Sequence, residues 1–166
     1  MFKINLASFG DFAEFSEELK KGDAVFEGID YDDNFKIDIS ATKDGTESVI
    51  IEGAINGKVN LTCGRCLENI SQPINTEFTV IFRKKSAITG DDAQTDVRSY
   101  VNNEIDLHEC LYETIMLELP LKPLCSQDCR GLCPVCGINK NKEKCSCSVE
   151  PGNAETYKPF KGLDLQ

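Results

Sequence analysis

Six of the nine cysteines in this chain of 166 residues lie within a stretch of 23 residues near its C-terminus. These six are Cys125, Cys129, Cys133, Cys136, Cys145 and Cys147, and a further pair, Cys63 and Cys66, stands in the run TCGRCLE. Thiols at this close spacing can ligate a metal, form disulfide bonds or perform redox chemistry. The choice among these three chemistries decides most of what the sequence indicates about function.

The run CPVCG, Cys133 to Gly137, has the form of half a zinc site. A Cys-x-x-Cys turn directs two sulfurs at one point, and Pro134 fixes its φ at about −65°. Gly137 permits a backbone conformation in which main-chain N–H groups turn back toward the sulfurs. CGRC, with Gly64 inside the turn, is a second half-site of similar form. Because zinc takes four ligands in a tetrahedron, the sequence predicts metal binding.

Eight cysteines in four local pairs supply the ligands for two zinc ions. Cys133/Cys136 and Cys145/Cys147 are separated by only eight residues, and closing so short a loop costs little entropy. Cys63/Cys66 then combines with Cys125/Cys129, which joins the body of the protein to its C-terminal segment. In a competing interpretation, the six C-terminal cysteines share one zinc ion and Cys63/Cys66 binds none. The two-site interpretation is favoured.

Both sites of the two-site interpretation are predicted to hold structural rather than catalytic zinc. All eight ligands are cysteines, so no coordination position is left open for water or substrate. The ninth cysteine, Cys110, falls on the apolar stripe of a predicted helix, and we expect it to be a small buried thiol.

The rest of the sequence favours a cytoplasmic protein without a membrane partner. The first 15 residues hold no apolar signal segment, and no run approaches the roughly 18 apolar residues of a membrane span. Disulfides are rare in reducing compartments, and an odd number of cysteines suits a closed disulfide framework poorly.

The sequence offers few residues suited to catalysis. His108 is the only histidine, and its predicted place in the first turn of a helix indicates a solvated residue. No glycine pattern for binding nucleotide phosphates occurs. We expect no enzymatic activity and no small-molecule substrate. The alternative from another functional class is a zinc-dependent redox sensor or chaperone, because clustered thiols can also be oxidised.

Charge is divided unevenly along the chain, whose formal net charge is −10. Residues 1–119 carry 11 Lys and Arg against 23 Asp and Glu, whereas residues 120–149 carry 5 against 2. An acidic body attracts basic partners, such as ribosomal proteins, and repels phosphate backbones. The basic residues of the C-terminal segment could still touch RNA phosphates; they are Arg130, Lys140, Lys142 and Lys144.

The predicted fold is α+β, with an antiparallel sheet that could curl into a barrel and two short helices. Phe12, Phe15 and Leu19 are at helical spacing and predict a first helix that stops at Gly22. The segments Phe2–Leu6, 34–41, 47–63, 68–84 and 97–105 predict strands, with a turn at Asp44-Gly45 and a bend or turn at Asn56-Gly57. Asp106 caps the second helix, whose buried stripe is Leu107, Cys110, Leu111 and Ile115.

Three segments follow from this organisation. Residues 1–119 form an acidic body that includes the CGRC half-site, residues 120–149 form a cysteine-rich zinc-binding segment, and residues 150–166 form a polar tail. Residues 84–96 are predicted to be a loop.

Together these features resemble one known family. CGRCLE, then a helix, then P-x-x-P-L-C-x3-C-R-G-L-C-P-V-C-G-x-N-x-N and a final C-x-C are similar to the large ribosomal RNA subunit accumulation protein family, YceD. The resemblance implies a cytoplasmic bacterial protein that supports accumulation or processing of large-subunit ribosomal RNA. It also implies a shared site at Cys63, Cys66, Cys125 and Cys129, with the other four ligands forming an added site. The expected partner is a ribosomal precursor particle or a basic large-subunit ribosomal protein.

Overall fold

Among the residues that the structure describes, β-strands are the main regular structure, and one α-helix packs beside them. A computed structural model describes residues 2–21, 26–32, 35–88 and 97–147. The elements are β1 (Lys3–Asn5), β2 (Phe12–Leu19), β3 (Phe35–Asp44), β4 (Ser48–Thr62), β5 (Asn69–Lys84), β6 (Val97–Tyr100), β7 (Glu104–Asp106) and α1 (His108–Glu118). The predicted polar tail, residues 150–166, lies outside the described residues, as does most of the predicted loop at 84–96.

Five strands form the main sheet in the order β2-β3-β4-β5-β6. The alternation predicted for β3 is confirmed, because Phe35, Ile37 and Ile39 are buried on one face while Lys36 points to the other. Their register partners on β4 include Ile55, opposite Ile37, so that apolar residues face the same core. The predicted turn at Asp44-Gly45 is also confirmed: Gly45 has φ 73° and Asp44 pairs with Ser48.

The predicted first helix is wrong, since residues 12–19 form strand β2. Ala13, Phe15 and Leu19 lie opposite Ala41, Ile39 and Phe35 of β3. Ala13, Phe15 and Leu19 follow the two-residue period of a strand, whereas Phe12, Phe15 and Leu19 have the spacing of a helix. Pairing with β3 decides between them, and it leaves Phe12 on the outer face with 55% of its surface exposed.

The barrel-like and wholly antiparallel expectations are not met. Strands β2 to β5 are antiparallel, but β6 runs parallel to β5. Among the described residues, β2 and β6 stand at the two edges of an open sheet. The chain's first strand does not close it, because β1 pairs with β7 in a separate two-stranded sheet.

Strands β4 and β5 extend beyond β3 and carry the CGRC turn at their far end. They pair without interruption from Ser48↔Arg83 to Thr62↔Asn69. Asn56-Gly57 is therefore part of the strand rather than a turn. Glycine is needed at position 57 for another reason: a Cβ there would lie 2.3 Å from the buried ring of Phe35.

Helix α1 confirms the predicted buried stripe, because Leu107, Cys110, Leu111 and Ile115 are all at most 6% exposed. It begins at His108, whose backbone N–H donates to Asp106 Oδ1 at 2.9 Å. At its other end, Thr76 of β5 donates to Glu118 at 3.0 Å. The helix therefore directs the segment that follows it toward the far end of β4 and β5.

Within the part of the chain that the structure describes, no helix has the length and apolar character needed to cross a membrane.

Candidate metal centres

The two Cys-x-x-Cys turns have the same backbone hydrogen bonds. In the first, Cys63 N–H donates to Glu68 O at 2.8 Å and Leu67 N–H donates to Cys63 O at 3.0 Å. In the second, Cys133 N–H donates to Ile138 O at 2.8 Å and Gly137 N–H donates to Cys133 O at 2.9 Å. Leu67 and Gly137 occupy equivalent left-handed positions, with φ 60° and 73°. Each turn therefore holds its two sulfurs on one side of a tight hairpin.

The eight cysteines predicted as metal ligands come together in two groups of four. Group one is Cys63, Cys66, Cys125 and Cys129, and group two is Cys133, Cys136, Cys145 and Cys147. Within each group all four sulfurs lie within 4.8 Å of one another. This is the grouping of the two-site interpretation. No single cluster contains all six C-terminal cysteines, and all nine cysteines of the chain lie in its described part.

Group one joins two distant parts of the chain. β4 leads into the turn that carries Cys63 and Cys66, and the segment after α1 brings Cys125 and Cys129 to it. Gly64 N–H donates to Pro123 O at 2.8 Å, and Cys125 N–H donates to the sulfur of Cys63 at 3.3 Å.

A small apolar cluster surrounds group one. Cys63, Cys66 and Cys129 are at most 4% exposed, and Ile70, Leu124 and Leu132 pack against them. Cys125 is the exposed member of the group.

Group two is built almost entirely from local sequence. Cys133 and Cys136 form the turn, and Cys145 and Cys147 return from a short loop. Only Cys133 is buried, while Cys136 and Cys147 are exposed. Group two is thus the more accessible to solvent of the two groups.

The sulfur separations fit a tetrahedral metal site. In group one they include 3.9 Å between Cys63 and Cys129 and 3.6 Å between Cys66 and Cys125. In group two they include 3.3 Å between Cys133 and Cys145. Four thiolates each about 2.3 Å from a zinc ion would stand roughly 3.8 Å apart, whereas a disulfide needs about 2.0 Å. No disulfide occurs among the nine cysteines, all of them described.

Each group contains at least one sulfur whose pKa is lowered, so that it readily carries negative charge. Backbone N–H groups of Arg65, Cys66 and Cys125 lower the pKa of Cys63 to about 6. The N–H groups of Cys136 and Val135 likewise lower the pKa of Cys133 to about 6.

Each group also contains a sulfur that its neighbours keep protonated. The sulfurs of Cys129 and Cys66 raise the pKa of Cys125 to about 12, and those of Cys145 and Cys136 raise the pKa of Cys147 to about 12. Four thiolates can coexist in one group only against the positive charge of a cation.

Several residues that shape group one were not predicted from the sequence. Arg65 donates from its guanidinium to the carbonyl oxygens of Gln127, at 3.2 Å, and Cys129, at 3.0 Å. Asn141 donates from its side-chain amide to the sulfur of Cys129 at 3.2 Å, and this bond lowers the pKa of Cys129. The two asparagines in the G-x-N-x-N run were the available signal for such contacts.

The basic residues predicted to face RNA have different environments. Arg130, Lys140 and Lys144 line a hollow of about 460 Å³ beside group two. Lys142 instead forms an ion pair with Glu68, next to group one. Three of the four cations therefore share one surface.

Residues 51–165, which include both cysteine groups, match the family described as large ribosomal RNA subunit accumulation protein YceD. The chain belongs to the YceD family.

Curated relatives of this YceD-family chain include bacterial and plant proteins. An uncharacterized protein of Mycobacterium tuberculosis is 32% identical over 94 residues, which are 56% of this chain and 45% of the relative. The chloroplastic large ribosomal RNA subunit accumulation protein YCED homolog 1 of Zea mays is 28% identical over 141 residues, covering 68% of this chain and 48% of the relative. Its Arabidopsis thaliana counterpart is 23% identical over 143 residues, covering 70% and 44%.

The chain thus spans about half the length of the curated relatives it matches. No solved structure matches the chain.

Proposed function

We propose that the chain is a non-catalytic, zinc-stabilised factor that supports accumulation or processing of large-subunit ribosomal RNA and assembly of the large ribosomal subunit. Each group of four cysteines holds one structural zinc ion. The ribosomal role is supported by the family and by the names of the maize and Arabidopsis relatives. The cytoplasm is the proposed location.

One observation carries the zinc assignment, namely two groups of four thiols with no other donor type in either. Soft thiolates select zinc over hard cations, and four of them fill a tetrahedron completely. Such a site has no open position at which water or substrate could react. The role of the metal is therefore to hold segments of the chain together.

The acidic body is the proposed docking surface for a basic partner. On the solvent face of the main sheet, Glu14 and Glu52 flank Ser40 in one row, and Asp38 and Glu77 flank Ala54 in the next. These residues border a hollow of about 620 Å³. Clustered carboxylates attract Lys- and Arg-rich segments, so a basic large-subunit ribosomal protein or a precursor particle exposing one fits this face.

Metal content tests the zinc assignment. Protein purified under reducing conditions should hold two zinc ions per chain by native mass spectrometry. One ion would favour a single occupied group. No metal, together with disulfide formation at low peroxide doses, would favour the zinc-dependent redox sensor or chaperone instead.

Sedimentation tests the ribosomal role. The chain should migrate with immature large subunits in cell extracts, and replacing Glu14 and Glu52 by lysine should shift it to the light fractions. Replacement of the exposed Glu143, which lies beside group two, is the matched control. Migration of the unchanged chain away from precursor particles and ribosomal proteins would contradict the proposal.

A further inference from the structure

The two cysteine groups touch each other through a short stretch of chain. Cys129 of group one and Cys133 of group two are separated by only Arg130, Gly131 and Leu132. Leu132 N–H donates to Arg65 O at 3.1 Å, and a Cβ on Gly131 would lie 2.9 Å from the same oxygen. The start of the second turn is therefore pressed against the back of the first turn.

The loop that closes group two also reaches group one. It runs from Cys136 to Cys145 and contains Asn141, whose amide nitrogen donates to the sulfur of Cys129 at 3.2 Å. The amide oxygen of Asn141 accepts from Arg130 N–H at 2.8 Å. Because the oxygen is fixed in this way, the nitrogen must face the sulfur. A side chain supplied by one group thus completes the surroundings of the other.

Three further contacts help to position the loop. Asn139 accepts from Asn141 N–H at 2.9 Å through its side chain, and Lys140 N–H donates to Gly131 O at 2.9 Å. Lys142 extends the same loop to an ion pair with Glu68 of the first turn. The position of Asn141 therefore depends on the conformation of the loop, whose two ends, Cys136 and Cys145, belong to group two.

We propose that Asn141 is a positioning residue through which metal binding at group two strengthens metal binding at group one. This inference rests on the proposed occupancy of both groups by metal. A metal at group two ties Cys145 and Cys147 to the second turn and orders the loop between them. The ordered loop then donates a hydrogen bond to the Cys129 sulfur at 3.2 Å, which holds that sulfur in the position where it binds the metal.

The size of the effect follows from the behaviour of groups hydrogen-bonded to metal ligands. Loss of such a partner lowers metal affinity by about 10-fold to 100-fold. Since coupling between two binding sites is reciprocal, metal at group one should strengthen binding at group two by the same factor. A chelator should remove metal first from the exposed group two. Loss of that metal should then weaken metal binding at group one as well.

Cobalt titration of the full chain tests this coupling. Co(II) gives thiolate charge-transfer absorption, and competition with a chelator measures the affinity of each step. Cys145→Ser disables group two, so its single remaining step reports group one. We expect that step to be at least about 10-fold weaker than the corresponding step of the unchanged chain.

Substitutions of Asn141 identify the path of the coupling. Asn141→Ala removes the donor, and Asn141→Asp keeps an acceptor for Arg130 N–H but places a carboxylate against the sulfur. Both substitutions should lower the metal affinity of group one, Asn141→Asp more than Asn141→Ala. The metal affinity of group two, measured in a Cys66→Ser chain, should stay unchanged. Lys144→Ala, on the same loop and likewise exposed, is the control, because the bond to the Cys129 sulfur comes from Asn141. In the Cys145→Ser chain, Asn141→Ala should lower the Co(II) affinity of group one little further, because the loop is already open.

The outcomes separate this inference from the proposed function. In one outcome, the unchanged chain binds two Co(II) ions, and Cys145→Ser and Asn141→Ala each change the Co(II) affinity of group one by less than about 2-fold. The proposed coupling is then wrong, while the proposed zinc binding stands. If the unchanged chain binds no Co(II), both are wrong. Far-ultraviolet circular dichroism of Asn141→Ala and Asn141→Asp checks that the sheet is retained. An equal loss of metal affinity at group one in Lys144→Ala would also overturn the role of Asn141.

Discussion

At the scale of single residues, two glycines in the left-handed conformation have different neighbours. Gly131 has φ 69° and Gly137 has φ 73°. A Cβ on Gly137 would meet nothing within 4 Å, whereas one on Gly131 would press on the backbone oxygen of Arg65 at 2.9 Å. Gly137 is therefore required only by its backbone angle, and Gly131 is required by its angle and by the contact between the two turns.

Alanine at each of these glycines should separate the two effects. Gly137→Ala should lower the free energy of unfolding by about 1 kcal/mol, the cost of an L-residue at positive φ. Gly131→Ala should cost about 2–3 kcal/mol, because it adds a collision with backbone that cannot rotate away. Urea unfolding of the metal-loaded proteins measures both values. Equal losses for the two variants would show that the turns are not in contact.

Cys110 is the one cysteine that belongs to neither group. It is 6% exposed in the main core, on the buried stripe of α1, as the sequence predicted. Cys110→Ala should leave the metal-to-protein ratio unchanged and lower stability by about 1 kcal/mol, through the loss of one buried sulfur. Cys66→Ala should remove one metal ion per chain. Metal analysis of the two purified variants compares them directly, and metal loss in Cys110→Ala would contradict the assignment of ligands.

At the scale of elements, the long hairpin of β4 and β5 determines where group one can form. Near the end of β3, Gly57 of this hairpin leaves room for the buried ring of Phe35. Gly57→Ala should lower the free energy of unfolding by about 2–3 kcal/mol, since the ring is fully buried and cannot move away. Gly10→Ala, where a Cβ would meet nothing within 4 Å, should change stability little. Thermal unfolding of both variants checks this, and equal midpoints would refute the steric account.

Local patterns were sufficient for some elements and ambiguous for others. The buried stripe of α1 and the alternation of β3 are strong periodic signals, and both were predicted. Residues 12–19 satisfy two periods at once, and only the partner strand β3 decides between them. The grouping of the cysteines followed from loop length. The role of Asn141 could not be predicted, because its bond to Cys129 depends on how two turns pack in space.

At the scale of the whole molecule, the buried side chains of the described residues, apart from Cys133, form two clusters. The larger fills the space between the main sheet, β1, β7 and α1, and the smaller consists of Cys63, Cys66 and Cys129 with the apolar residues around them. The acidic body thus has a core of its own, whereas the cysteine-rich segment depends on its six thiols together with Cys63 and Cys66 of the body. Metal should therefore matter much more to the second part than to the first.

Removal of metal should unfold the cysteine-rich segment and leave the body folded. Small sites of this kind gain most of their folding free energy from the metal, while burial of residues such as Ile51 and Ile55 at 0% exposure is independent of it. After chelation under reducing conditions, hydrogen exchange should become fast in residues 120–147 and in the turn at 63–68, and stay slow in β3 and the first half of β4. Restored protection after addition of Zn(II) is the control for irreversible damage. Loss of protection throughout the sheet would show instead that body and segment fold as one unit, and unchanged protection everywhere would show that the thiols need no metal.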